Sequence, residues 1–190
     1  MVARGVARPR CSVFIAISLD GFIARADGGI DWLTTVERPG EDYGFGAFFG
    51  SVDTLVLGRK TYETALGFDA WPYAGKRVVV LTRDPSRAPR HGEELTSSEL
   101  PALLERLGDQ GARHVYLDGG VTIGRALAAG VVDELTVSII PVLLGEGLPL
   151  APHVGRDAGL TLLEHRAFPS GLVQLRYRVS ATGTASSAAG

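Results

Sequence analysis

The apolar positions of this chain fall into two kinds of run. Residues 11–19 (CSVFIAISL), 53–57, 77–82 (RVVVLT), 114–117 and 134–141 are short, nearly continuous and rich in β-branched side chains, the pattern of strands buried on both faces. Between them the spacing changes to three and four. Tyr43, Phe45, Phe48 and Phe49 give a short helical stripe over 41–50, and Arg59 to Leu66 reads as a second helix. Leu100, Leu103, Leu104 and Leu107 mark a third, running to about Gln110 with Ser97 or Ser98 as its cap. Val121 to Ala129 is a fourth, with Gly130 as its stop. Phe22 to Ala24 is a short extended piece before the Gly28-Gly29 turn. The end differs: Leu160 to Phe168 and Leu172 to Val179 are runs joined by Pro169-Ser170-Gly171, which predict an antiparallel hairpin. Strands alternating with helices and closing on a hairpin predict a three-layer α/β fold, a mixed sheet with helices on both faces.

Composition narrows the function classes. The 190 residues suit one domain, and 19 basic against 21 acidic side chains leave a net charge of −2, which gives no electrostatic footprint for nucleic acid. The single Cys11 excludes an internal disulfide, and His91, His114, His153 and His165 lie too far apart for a metal-ligand motif. A reducing cytosol is the expected compartment. No uncharged stretch approaches the ~18 apolar residues of a membrane span, and residues 1–10 lack the apolar core of a signal peptide. We read 1–10 as a flexible lead, 11–180 as the domain and 181–190 as a disordered tail. The chain has 25 Gly and no Asn, so many left-handed backbone positions must fall to glycine.

Not all of those glycines sit in turns. In Leu57-Gly58-Arg59-Lys60-Thr61 and Asp118-Gly119-Gly120-Val121-Thr122 a buried strand stops at glycine and a helix starts at once. Such a start aims unpaired N–H groups at the carboxyl edge of the sheet, where phosphate is favoured. A third strand end, Leu81-Thr82-Arg83, adds a hydroxyl and a guanidinium. Arg59 and Arg83 together suit a terminal phosphate such as the 2′-phosphate of NADPH. The glycine-rich stretch Gly44 to Gly50 has the wrong spacing for a dinucleotide fingerprint and receives no such role.

Ser18-Leu19-Asp20-Gly21-Phe22-Ile23-Ala24, Leu57 to Glu63, Val79 to Arg83, the Gly119-Gly120 junction and Ile140 to Gly147 occur in this order. Over about residues 11–180 the chain resembles the dihydrofolate reductase superfamily, in the branch similar to the C-terminal reductase domain of the riboflavin-biosynthesis deaminase-reductase. The resemblance implies an NADPH-binding α/β fold with a central sheet of about eight strands, and often a homodimer. It implies that Ala16 and Ile23 line the nicotinamide pocket and that Gly58, Arg59, Lys60 and Thr61 hold cofactor phosphates. It assigns Leu81, Thr82 and Arg83 to the adenosine side, and Gly119, Gly120, Val121, Thr122 and Ile123 to the second diphosphate junction. Dihydrofolate reductases carry an acid on their first helix. The matching region here is Glu41-Asp42-Tyr43, which makes Asp42 a candidate proton source.

Asp20 closes the first strand at the expected cleft, and the indole of Trp32 offers a flat surface for a heterocycle. The expected reaction is hydride transfer from NADPH to a pyrimidine- or pterin-like ring or its attached sugar, by analogy with 5-amino-6-(5-phosphoribosylamino)uracil reduction. Asp42 or Asp20 could donate the proton if burial raised its pKa towards neutrality. The alternatives are dihydrofolate reduction, nucleotide binding without turnover, and a structural homodimer whose junction glycines serve packing alone.

Overall fold

The computed structural model describes residues 8–152 and 154–180. Eight strands form the main sheet: β1 (Arg10–Ser18), β3 (Thr54–Gly58), β4 (Arg77–Leu81), β5 (Glu94–Thr96), β6 (His114–Asp118), β7 (Glu134–Ile140), β9 (Gly159–Ala167) and β10 (Val173–Ser180). Their order is β5-β4-β3-β6-β1-β7-β10-β9, and β7 to β10 is where parallel pairing gives way to antiparallel. A second pair, β2 (Phe22–Ala24) with β8 (Leu148–Pro149), is antiparallel. The mixed sheet and closing hairpin are those the sequence pattern predicts. Strand β1 starts one residue early, and Arg8 just before it is ion-paired with Asp133 at 2.8 Å, so 8–10 of the expected lead belong to the fold. Residues 1–7 and the expected tail at 181–190 lie outside the described residues.

Alternation along the strands sorts side chains to two faces. One face carries Cys11, Val13, Val115, Leu117, Leu135 and Val137 against the helices α3 (Leu100–Asp109) and α4 (Gly120–Ala129). The leucine stripe of α3 is fully buried here, as its spacing requires. The expected serine cap is absent: α3 starts after Glu99 without a side-chain cap, and Ser98 is bonded instead to the Thr96 hydroxyl at 2.8 Å. The other face packs Leu55, Leu57, Val78, Val80 and Tyr116 against α2 (Arg59–Ala65), with α1 (Phe45–Ser51) nearby through Phe48 and Phe49. A third cluster, Trp32, Val36, Ile140, Phe168 and Leu172, closes the sheet's end beneath a 3-10 turn at Asp31–Val36. Among the described residues no helix is long and apolar enough to cross a membrane.

Candidate active site

Strands β3 and β6 are parallel neighbours, so the two strand-to-helix junctions lie side by side at one sheet edge. Each helix starts from a glycine without a side-chain cap. Their contact is reciprocal. A Cβ on Gly58 would lie 2.9 Å from the hydroxyl of Thr122 on α4, and a Cβ on Gly119 would lie 2.6 Å from that of Thr61 on α2. Gly119 also has φ +102, a backbone that side-chain-bearing residues rarely adopt. On the outer side of α4, a Cβ on Gly120 would lie 2.7 Å from the Pro149 carbonyl and 3.1 Å from Ile23 Cδ1, and one on Gly124 only 2.2 Å from the Pro152 carbonyl. These glycines therefore let two helix starts and the 149–152 segment pack backbone to backbone.

The remaining cofactor candidates divide by exposure. Arg59, Lys60, Arg83 and Val121 are exposed, and Thr61, Leu81 and Thr82 are half-buried at the same edge. Gly58 pairs with Leu81 across β3 and β4, so Arg59 and Arg83 do leave from neighbouring positions. Ile123 is completely buried in the core, and its N–H is already bonded to Gly119 O at 2.8 Å; neither its side chain nor its amide is open to a ligand. Thr122 is also buried, at 3% exposure. An anionic cofactor is compatible with what remains: uncapped amides at the start of α4, small residues beside them, and the cations of α2 and β4. Such a cofactor would meet Gly120, Arg59, Lys60 and Arg83 there.

A cavity of about 910 Å³ opens on the α1 face of the sheet, lined by Phe14, Ala16, Tyr43, Tyr116, Ser138 and Ile140 among others, with Glu37, Arg38, Glu41 and Asp42 also contributing. Its polar floor is organised by Gln174, whose amide donates to Ser138 Oγ at 2.9 Å and to the Tyr43 carbonyl at 3.0 Å. That bond and one from the Tyr43 hydroxyl to Val36 O hold Tyr43 at φ 55, unusual for a side-chain-bearing residue. Ala16 lines this cavity. Ile23 lies instead beside Gly120, and Trp32 is 2% exposed within the third apolar cluster. An indole packed that way presents no face to a substrate, which corrects its expected stacking role.

Neither candidate acid meets the condition set for it. Asp42 accepts the N–H groups of Gly44 and Gly46, both at 2.9 Å, and these donors hold its pKa below the usual carboxylate range. It caps the start of α1. Asp20 accepts the Ser18 hydroxyl at 2.6 Å and the Gly145 N–H at 2.7 Å, and its pKa is likewise lowered. It ties the end of β1 to the 142–147 loop.

The acid with the required property is Asp118, the last residue of β6. It is two residues beyond Tyr116 on the same face, and burial pushes its pKa up to about 6, opposed only in part by the Gly119 N–H and Tyr116. It stands between Tyr116, which lines the cavity, and Gly119, which starts α4. A lone Asp ending an otherwise apolar strand just before Gly-Gly was the available sequence signal.

The RibD C-terminal domain family matches residues 9–174. A crystal structure of a Shewanella sp. PV-4 protein, provisionally assigned to riboflavin biosynthesis, superposes with TM-score 0.84 at 36% identity, covering 90% of this chain and 99% of that one. An uncharacterized Bacillus subtilis protein, YwjB, is 34% identical over 167 residues, 87% of this chain and 95% of its own. Enterococcus faecalis dihydrofolate reductase, solved with NADP(H), shares the fold at TM-score 0.62, covering 90% of this chain and 97% of that one at 16% identity. With its eight-stranded mixed sheet, its two glycine junctions and this match over most of its length, the chain belongs to the RibD C-terminal domain family, which has a dihydrofolate-reductase-like fold and is a reductase domain of riboflavin biosynthesis.

Proposed function

We propose that the chain is a cytosolic NADPH-dependent reductase acting on a planar pyrimidine- or pterin-like heterocycle or on the sugar attached to one. The observation carrying this reading is a succession along β6: Tyr116 lines the largely apolar cavity, the half-buried acid Asp118 ends the strand, and Gly119 starts the junction that packs against the Gly58 junction beside it. NADPH, when bound, supplies the hydride. The chain's own contribution is then positional and electrostatic. The first-turn amides of α4 offer donors to the diphosphate, and Arg59 and Arg83 offer guanidiniums to the 2′-phosphate. Ala16, having only a methyl group, leaves room above β1 for a flat ring. Asp118 holds a proton at its carboxyl in a pH range where an ordinary carboxylate has lost it, and so is the candidate general acid. Asp42, ionised and committed to α1, gives no support to dihydrofolate reduction by a first-helix acid.

Calorimetric titration with NADPH and NADH tests the reading. NADPH is expected to bind more tightly, with Arg59→Ala costing NADPH much more than NADH; the absence of binding by either would sink the reading. Oxidation of bound NADPH across a panel of pyrimidines and pterins then tests turnover. Binding with silence throughout would leave a nucleotide-binding protein without the activity.

A further inference from the structure

Helix α2 meets the loop that follows β4 through two successive side chains. Tyr62 is buried and donates its hydroxyl to Glu93, which also accepts the N–H groups of Arg90 at 2.6 Å and His91 at 2.7 Å. The far end of the loop is therefore fastened to the helix. Glu63, the next residue, lies on the surface between two cations. Arg59 Nη1 is 2.6 Å from each of its oxygens, and Arg87 Nη1 is 3.6 Å from Oε1, with Arg87 Nε 3.6 Å from Asp84. Because Gly58 is paired with Leu81, Arg83 leaves the sheet beside Arg59. A single carboxylate thus joins two guanidiniums, and Arg83 lies on the chain between the end of β4 and Arg87.

We propose that Glu63 is a specificity-determining residue: it occupies Arg59 and Arg87 when no cofactor is present and competes with the cofactor's 2′-phosphate for them, moderating the preference for NADPH over NADH. This rests on the reductase reading, which places the 2′-phosphate at Arg59. Exposed ion pairs are weak and exchange readily, so Glu63 releases its arginines at little cost. A phosphate dianion is the stronger partner for a guanidinium. After that exchange the carboxylate remains as a like charge close to the phosphate, a penalty that NADH, with a neutral hydroxyl at the same position, does not meet. Neutralising Glu63 therefore favours NADPH selectively. A purely supporting role, holding the arginines in place for the phosphate, predicts the opposite sign.

The test is calorimetric titration of wild type, Glu63→Gln and Arg87→Ala with adenosine 2′,5′-bisphosphate and adenosine 5′-monophosphate, alongside NADPH and NADH. In Glu63→Gln the bisphosphate and NADPH are expected to tighten about three- to tenfold, with the gain shrinking as salt is added. The monophosphate and NADH should show no gain. Arg87→Ala is expected to weaken only the ligands bearing the 2′-phosphate. A preference for NADPH that Glu63→Gln leaves unchanged or lowers overturns this proposal alone. Wild-type protein that binds neither dinucleotide overturns the reductase reading and this proposal with it.

Discussion

Asp118 makes the site's chemistry pH-dependent in a definite direction. Its carboxyl titrates near pH 6 in the folded chain, against 3.8 for an unperturbed Asp, so between those values the folded state keeps a proton that the unfolded state has released. Stability contributed by that proton is present below about pH 4 and is lost as pH rises towards 6. Asp118→Asn, which cannot ionise, is expected to raise stability by about 1–2 kcal/mol at pH 7. Thermal midpoints of wild type and variant should converge near pH 4, and an unchanged gap across pH 4–7 would contradict the raised pKa. If Asp118 is also the acid, kcat in wild type declines above pH 6 and Asp118→Asn loses about 10²-fold or more together with that decline. Asp42→Asn is expected to leave the profile's position unchanged, because Asp42 bonds to the start of α1 and already titrates low. The sequence placed all three carboxylates near strand or helix ends; what it could not display was which of them the fold would strip of water. Asp20 and Asp42 look like catalytic candidates by position, yet both meet backbone N–H groups, while Asp118 sits over Tyr116 with one such donor.

At the scale of elements, the buried strands and the leucine-striped helix were legible because each is specified by its own local pattern. Strand β5, strand β8 and the 3-10 turn were not, since two or three residues carry no measurable period and their pairing depends on distant partners: β5 on β4, and β8 on β2. The junction glycines were legible as exceptional positions, but their physical reason required the neighbouring junction. Thr61 and Thr122 each occupy the space above the other helix's first glycine. Gly119→Ala is therefore expected to destabilise by about 1–3 kcal/mol from its backbone conformation alone, before any effect on ligand. Gly58→Ala has no such conformational penalty, since φ is −72, and its cost comes from Thr122. Removing that hydroxyl should relieve it. Chemical denaturation of Gly58→Ala, Thr122→Ala and the double variant is expected to show a coupling of about 0.5 kcal/mol or more, the double variant being more stable than the sum of single effects. Strict additivity would mean the two helix starts do not press on one another.

At the scale of the whole molecule, the hairpin end of the sheet is left uncovered by helices among the described residues. Strands β9 and β10 continue the sheet beyond β7, and along β9 every residue except Leu163 is exposed. Pairing of Leu162 with Tyr177, of Leu160 with Val179 and of Val173 with Ala167 puts these side chains on the face that farther along carries Leu135 and Val137 under α4. Leu160, Leu162 and Val173 are 47%, 50% and 38% exposed. The opposite face bears Glu164, Arg166, Arg176 and the Arg10–Glu134 pair, groups that water satisfies. Only the first face gains by being covered. A second copy of the chain suits it, because a flat apolar sheet face packs on its twin about a two-fold axis, each copy contributing the same side chains. This is the surface we propose for the homodimer implied by the family resemblance. Light scattering on the eluting protein should give twice the chain mass for wild type and the single-chain mass for Leu160→Glu/Leu162→Glu. Both charges lie on exposed positions of an edge hairpin, so unfolding does not confound the result, which circular dichroism would check. A wild-type monomer, or a dimer that survives both substitutions, would remove this face as the interface.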